Sequence, residues 1–156
     1  MEEIRLLRGD DEARRSAEMM ASTDPWLRLG RGADACLRAV TERERENYVA
    51  LIDDVVQGVL VIDMRGTFAG YIATVCVATG ARGSGLGTRL VRFAEERIFR
   101  ERPNVFLCVS SFNDRARSLY ERLGYEMIGE LRDFLVRGHA EVLLRKTLGP
   151  IVEFRP

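Results

Sequence analysis

Between the β-branched run Phe68 to Val77 and an amphipathic stretch, the chain places glycine at alternate positions in Arg82-Gly83-Ser84-Gly85-Leu86-Gly87. Glycine leaves the backbone free of side-chain bulk, so successive N–H groups can face one concavity at a helix N-terminus, where the dipole also favours an anion. From Gly85 to Arg100 the apolar positions Leu86, Leu90, Phe93, Ala94 and Ile98 recur at three- and four-residue spacing. That spacing predicts one buried helical face, with Arg89, Arg92, Glu95, Glu96 and Arg97 turned to water. Pro103-Asn104 ends the helix, and Val105 to Val109 returns as a buried strand. A strand, helix, strand crossover of this kind is right-handed and joins two parallel strands, which restricts the chain to an α/β architecture.

The remaining segments set an antiparallel frame around that crossover. After a short apolar start at Ile4 to Leu7, residues 11–22 and 33–46 are rich in good helix formers, with a turn-prone Ser22-Thr23-Asp24-Pro25-Trp26 between them. Tyr48 to Ile52, Gln57 to Met64 and Phe68 to Val77 read as a meander, turning at Asp53-Asp54 and Arg65-Gly66-Thr67. Asp114 to Leu123 forms a second amphipathic helix stopped by Gly124. Tyr125 to Leu131 and Ala140 to Lys146 make two further strands across a loop holding Arg137-Gly138-His139.

A length of 156 residues without repeat or low-complexity tract predicts one domain over 1–156. The 24 basic and 24 acidic side chains balance, so the broad basic surface of a nucleic-acid binder is not expected. Residues 1–66 carry 10 basic and 14 acidic groups and residues 67–156 carry 14 and 10, so the positive excess lies with the glycine-rich turn. No run approaches the roughly 18 apolar residues of a membrane span, and no apolar segment follows a basic start, so a cytoplasmic protein is expected. Cys36, Cys76 and Cys108 are too few and too scattered for a metal site or disulfide framework.

Several anion-binding loops share this physics. A dinucleotide loop would place glycine where Thr88 stands, and no acidic residue ends the next strand to hold a ribose. A Walker loop needs Gly-Lys-Ser/Thr, but the only lysine is Lys146. The segment instead resembles the phosphate loop Q/R-x-x-G-x-G/A of the GNAT acetyltransferase superfamily. Thirty-one residues past Arg82 stands Asn113, followed by Ala116 and by Leu119-Tyr120-Glu121-Arg122-Leu123-Gly124-Tyr125. This is similar to the family's N-x-x-A-x-x-L-Y-x-x-x-G-F/Y segment. The resemblance covers about residues 45–147 in order of elements and implies a GNAT fold. Such a fold has a mixed, mostly antiparallel sheet of about six or seven strands, a parallel pair splayed at the acyl-CoA site, and about four helices.

The resemblance also implies roles. Backbone groups of Val75, Cys76 and Val77 would hold the pantetheine arm and thioester of acetyl-CoA. N–H groups from Arg82 through Gly83, Ser84, Gly85, Leu86 and Gly87 to Thr88 would hold the pyrophosphate. Asn113 would bond the pantetheine or phosphate region, or cap the following helix, a position Asn favours. Tyr120 resembles the residue that protonates the departing thiolate, although its spacing with Ala116, Leu119 and Leu123 equally suits a core face. A phenol with pKa about 10 protonates a thiolate only transiently, so its help would be hydrogen bonding in the transition state. Relatives that acetylate protein N-termini carry glutamate five residues before the asparagine, where this chain has Cys108. A water chain to Glu141, Asp133 or His139 would then remove the amine proton, His139 reading also as a solvated turn residue. Trp26, Arg28, Tyr71 and Phe134 would line the acceptor pocket. The activity implied is acetyl transfer from acetyl-CoA to an amine on a protein, peptide or small metabolite, and homodimers are common among relatives. A non-catalytic acyl-CoA-binding module would carry the same loop.

Overall fold

The computed structural model describes residues 1–156. Seven strands form one sheet in the order β1-β2-β3-β4-β5-β7-β6. They are β1 (Glu2–Leu6), β2 (Glu46–Ile52), β3 (Val55–Asp63), β4 (Tyr71–Val77), β5 (Asn104–Ser110), β6 (Glu126–Arg132) and β7 (Ala140–Thr147). Four α-helices, α1 (Gly9–Ala21), α2 (Ala33–Thr41), α3 (Leu86–Phe99) and α4 (Asp114–Arg122), cover its faces. Every neighbouring pair is antiparallel except β4 and β5. The fold is therefore the mixed α/β sheet with one parallel pair that the sequence predicts.

Local chemistry accounts for the joints. Asp53 and Asp54 take positive φ, 49° and 64°, giving the two-residue turn whose twist matches a hairpin. The short apolar start becomes an edge strand because Ile4 pairs with Ala50 and packs against the larger core. Helix α2 ends at Thr41, short of the predicted residue 46, and Arg45 leaves it to bond Asp63 at 3.1 Å. β4, the last strand of the meander, begins at Tyr71 and not at Phe68: residues 64–70 form a loop in which Gly66 and Gly70 hold φ of 74° and 93°.

Two cores flank the sheet. The larger joins Leu86, Leu90, Val91, Ala94 and Ile98 of α3 to Leu60, Ile62, Ile72, Val105 and Leu107 of the strands and to Tyr120, Leu123 and Tyr125. The smaller joins Ala13, Ala17 and Met20 of α1 and Cys36 and Val40 of α2 to Val59, Val61 and Cys76. Glu95 is the charged group buried in α3, and Lys146 reaches it at 3.0 Å while Arg92 bonds its other oxygen at 3.0 Å. Lys146, the sole lysine, thus serves the core.

Candidate active site

β4 and β5 stay in register only at Tyr71 with Phe106 and Ile72 with Leu107. A register shift in the β3–β4 pairing between Val61 and Ile62 places one extra residue in β4 next to this point. Beyond it the two strands part, so the β4 edge from Ala73 to Val77 makes no ladder with β5, and β5 runs on with β7 alone. A sheet opened between parallel neighbours exposes backbone donors and acceptors inside the fold, where an extended polar ligand can replace the missing strand.

The glycine-rich turn closes one end of this opening. A single 3-10 turn, Thr79–Ala81, leads into extended Arg82, and Gly83 and Gly85 adopt φ of 78° and 82°. Gly85 caps α3 in the left-handed conformation without any side-chain capping bond. Consequently the N–H groups from Gly83 to Thr88 find no acceptor in the chain, the next bond being Arg89 N–H to Gly85 O at 3.1 Å. Ser84 Oγ donates to Ala81 O at 2.7 Å, and Arg89 donates to Ser84 O at 3.0 Å while gripping Glu2 with two bonds of 2.6 Å. The turn is therefore held from behind, with its donors unspent.

A cavity of about 630 Å³ joins these parts. Val75, Cys76 and Val77 line it, with Arg82, Gly83, Gly85, Leu86, Gly87, Thr88, Asn113 and Tyr120. Of the residues singled out for the acyl donor, only Ser84 stands outside its wall, its hydroxyl turned to Ala81. Asn113 combines both readings: its Oδ1 caps α4 by accepting from Ala116 N–H at 3.2 Å, while its Nδ2 makes no bond within the chain. Leu86 is 1% exposed and belongs to the α3 core, lining the cavity from within it. Trp26 and Arg28 line the cavity, with the Arg28 guanidinium 4.4 Å from the Phe112 ring centre. Phe134 does not, being an exposed loop residue, and Tyr71 lies on β4 beside Cys108 instead.

Tyr120 satisfies both its core and its cavity readings. Its ring packs edge-on against Tyr125 at 5.7 Å, and its hydroxyl has no hydrogen-bond partner in the chain. Burial raises its phenol above the ordinary value, so the side chain keeps its proton at neutral pH. Burial likewise pushes the Cys76 thiol up to about 12, which removes it as a nucleophile. Arg115 and Arg122 also line the cavity and form no ion pair. The sequence held a partial signal for them, since Arg115, Leu119 and Arg122 repeat at helical spacing along one side of α4, flanking the Ala116, Tyr120 and Leu123 side at Leu119. Phe112 and the Thr23-Asp24-Pro25 turn, which complete the wall, carried none.

The profile of the acetyltransferase (GNAT) family matches residues 5–125. The blasticidin-S acetyltransferase of Streptomyces morookaense is 33% identical over 64 residues, a match spanning 41% of this chain and 47% of that relative's length. Among solved structures, an aminoglycoside 6'-N-acetyltransferase complexed with coenzyme A superposes with a TM-score of 0.76 at 17% identity, over 98% of both chains. The ribosomal-protein-S18-alanine N-acetyltransferase of Escherichia coli does so with a TM-score of 0.77 at 13% identity, over 100% of this chain and 99% of its own. The chain thus shares the α/β fold of these solved structures. It belongs to the acetyltransferase (GNAT) family.

Proposed function

We propose that this chain, acting as one domain, transfers an acetyl group from acetyl-CoA to a primary amine. The observation that carries this reading is the cavity itself: five residues of the turn with unspent N–H groups (Gly83, Gly85, Leu86, Gly87 and Thr88), the Val75–Val77 stretch of β4 and Tyr120 line one wall. The residues present suit the donor. Several unspent N–H donors at a helix N-terminus match a pyrophosphate, and a cavity of about 630 Å³ lies within the size range of cofactor sites. Bound there, acetyl-CoA supplies the activated acyl thioester. Gly83 to Thr88 and Arg82 bind its phosphates, while the free backbone of Val75 to Val77 orients the arm and offers an N–H to the carbonyl oxygen. Tyr120 holds a proton where the sulfur departs.

The relatives above are named as acetyltransferases of blasticidin S, of aminoglycosides and of an alanine of ribosomal protein S18, so the acceptor screen should include aminoglycosides, blasticidin S, polyamines and peptides with a free N-terminus or lysine. Thiol release dependent on one of these amines, with the acetylated product seen by mass spectrometry, is the expected result. Tight coenzyme A binding without thiol release from any amine would convert the reading to a binding module.

The unpaired arginines give a separate expectation for the donor. Arg82→Ala and Arg122→Ala should each weaken coenzyme A binding by about 2- to 5-fold at low salt, the scale of exposed charge contacts. Their effect should shrink as ionic strength rises and the Debye length falls below about 8 Å. Isothermal titration at two salt concentrations checks both points.

A further inference from the structure

On the sheet face that carries Tyr71, β5 presents Cys108 and Ser110 just past the point where it leaves β4, and Ser110 stands in register with Glu141 of β7. Glu141 is only 5% exposed and Ser110 2%; the two lie close together, yet Glu141 Oε2 and Ser110 Oγ make no well-formed hydrogen bond with each other or with any other group. No arginine or lysine pairs with Glu141. A buried carboxylate without a cation or full hydrogen bonding is costly, and a structural role would be served better by an apolar side chain of similar size.

The groups that face Glu141 are Tyr71 from β4, Cys108 and Ser110 from β5, and His139 from the loop before β7, while β6 sets Leu131 opposite it. The Tyr71 hydroxyl adjoins the Cys108 thiol. His139 packs edge-on against Phe112 at 5.6 Å, and Phe112 lines the cavity. The cluster therefore adjoins the cavity through Phe112, on the side of the opened sheet away from the α3 core. The other two carboxylate and imidazole candidates are otherwise engaged. Asp133 accepts from Gly138 N–H at 2.6 Å and fixes its own exposed loop, and His139 is stacked and half-buried, not the solvated turn residue of the sequence reading.

We propose that Glu141, assisted by Ser110, receives the acceptor as an ammonium ion and takes its proton. This rests on the amine-acylation reading above. One N–H bond of the ammonium breaks, its electron pair stays on nitrogen as the nucleophilic lone pair, and the proton becomes the Glu141 carboxylic acid proton, later returned to water. The second proton lost from nitrogen as the C–N bond forms balances the one gained by sulfur as the C–S bond breaks. Burial raises the Glu141 carboxyl above its ordinary range, with Ser110 and His139 opposing, which brings it nearer the pH at which a base works best.

The test compares wild type with Glu141→Gln and Ser110→Ala, using the amine that the acceptor screen shows to be acetylated. Glu141→Gln should lower kcat/KM roughly 100-fold, within the range of general base catalysis, and erase the acidic limb of its pH profile. Coenzyme A affinity should stay unchanged. Ser110→Ala should lower kcat/KM several-fold with the limb retained. A second readout needs no acceptor. A carboxyl whose folded pKa is raised holds its proton more tightly folded than unfolded, so it subtracts stability as pH climbs past the unfolded value. Glu141→Gln should therefore raise Tm at pH 8 relative to wild type, and the gain should fade at pH 4. An unchanged pH profile, or a Tm lowered at both pH values, would overturn the proposal. Absence of acetylation by wild type would count against the function instead, and the Tm comparison would still stand.

Discussion

Tyr120→Phe is expected to lower kcat by about 100-fold or more while leaving coenzyme A affinity and Tm close to wild type, an effect on the scale of a lost proton donor. The argument is one of separable parts. The ring is structural: it is 7% exposed, sits in the α3 core and meets Tyr125 edge-on. Phenylalanine keeps all of that packing. The hydroxyl is not structural, because no group in the chain bonds it and burial makes its ionised form unfavourable. Removing it forfeits no internal hydrogen bond, so stability should change by less than about 0.5 kcal/mol. Tyr120→Ala would confuse the two parts, since deleting a buried aromatic ring costs about 3–5 kcal/mol. Stopped-flow or steady-state thiol release, read beside a coenzyme A titration, separates the outcomes. Full turnover by Tyr120→Phe would show that the departing sulfur needs no proton from this side chain.

The donor side was legible in the sequence because its physics is local. Alternating glycines, a following amphipathic helix and an asparagine-tyrosine pair at fixed distance are all short-range patterns, and the fold places them around one cavity. The proposed acceptor side was not, because it would be assembled from distant segments. Asp133, His139 and Glu141 sit within nine residues of sequence and looked equivalent. What separates them is the register of β7 on β5, which sets Glu141 against Ser110, and the loop bond that occupies Asp133. Tyr71 was expected in an acceptor pocket and instead lies beside Cys108, a contact without sequence signal because both sit on strands whose pairing is parallel and barely two residues long. Phe134 was misplaced because a loop residue's aromatic character says nothing about which way the loop folds. The bonds from Arg89 to Glu2, which brace the phosphate turn across 87 positions of sequence, leave no periodic trace at all.

That short parallel contact makes Gly70 the position where one methyl group should do most harm. Gly70 precedes β4, holds φ of 93°, donates its N–H to Asp63 O at 3.0 Å and accepts from Phe106 N–H at 3.0 Å. It is the hinge at which the loop becomes the strand that the crossover must meet. A Cβ there would lie 2.5 Å from Asn104 O and 2.7 Å from Ile98 Cγ2. The first is backbone and cannot rotate away, and the second belongs to a fully buried side chain. Left-handed strain adds about 1–2 kcal/mol for any residue with a Cβ, and overpacking adds about 1–3 kcal/mol. Gly70→Ala should thus destabilise the protein by about 2–5 kcal/mol, a loss measurable by urea unfolding. Relief of the clash requires Asn104 to retreat, and Asn104 starts β5. The movement would act on Tyr71–Phe106 and Ile72–Leu107, the two pairs that hold β4 to β5 before they part. Whatever Gly70→Ala protein remains folded should therefore bind coenzyme A more weakly, although Gly70 touches no part of the cavity wall. Gly87→Ala is the matched control for chain stability. Its Cβ would meet Leu119 and Val77 at an ordinary 3.7 Å, so it should fold normally, and any loss of coenzyme A affinity there would arise at the phosphate turn itself. A Gly70→Ala protein as stable as wild type would mean that the parallel pair yields freely, and that the opening of the sheet is not fixed at this hinge.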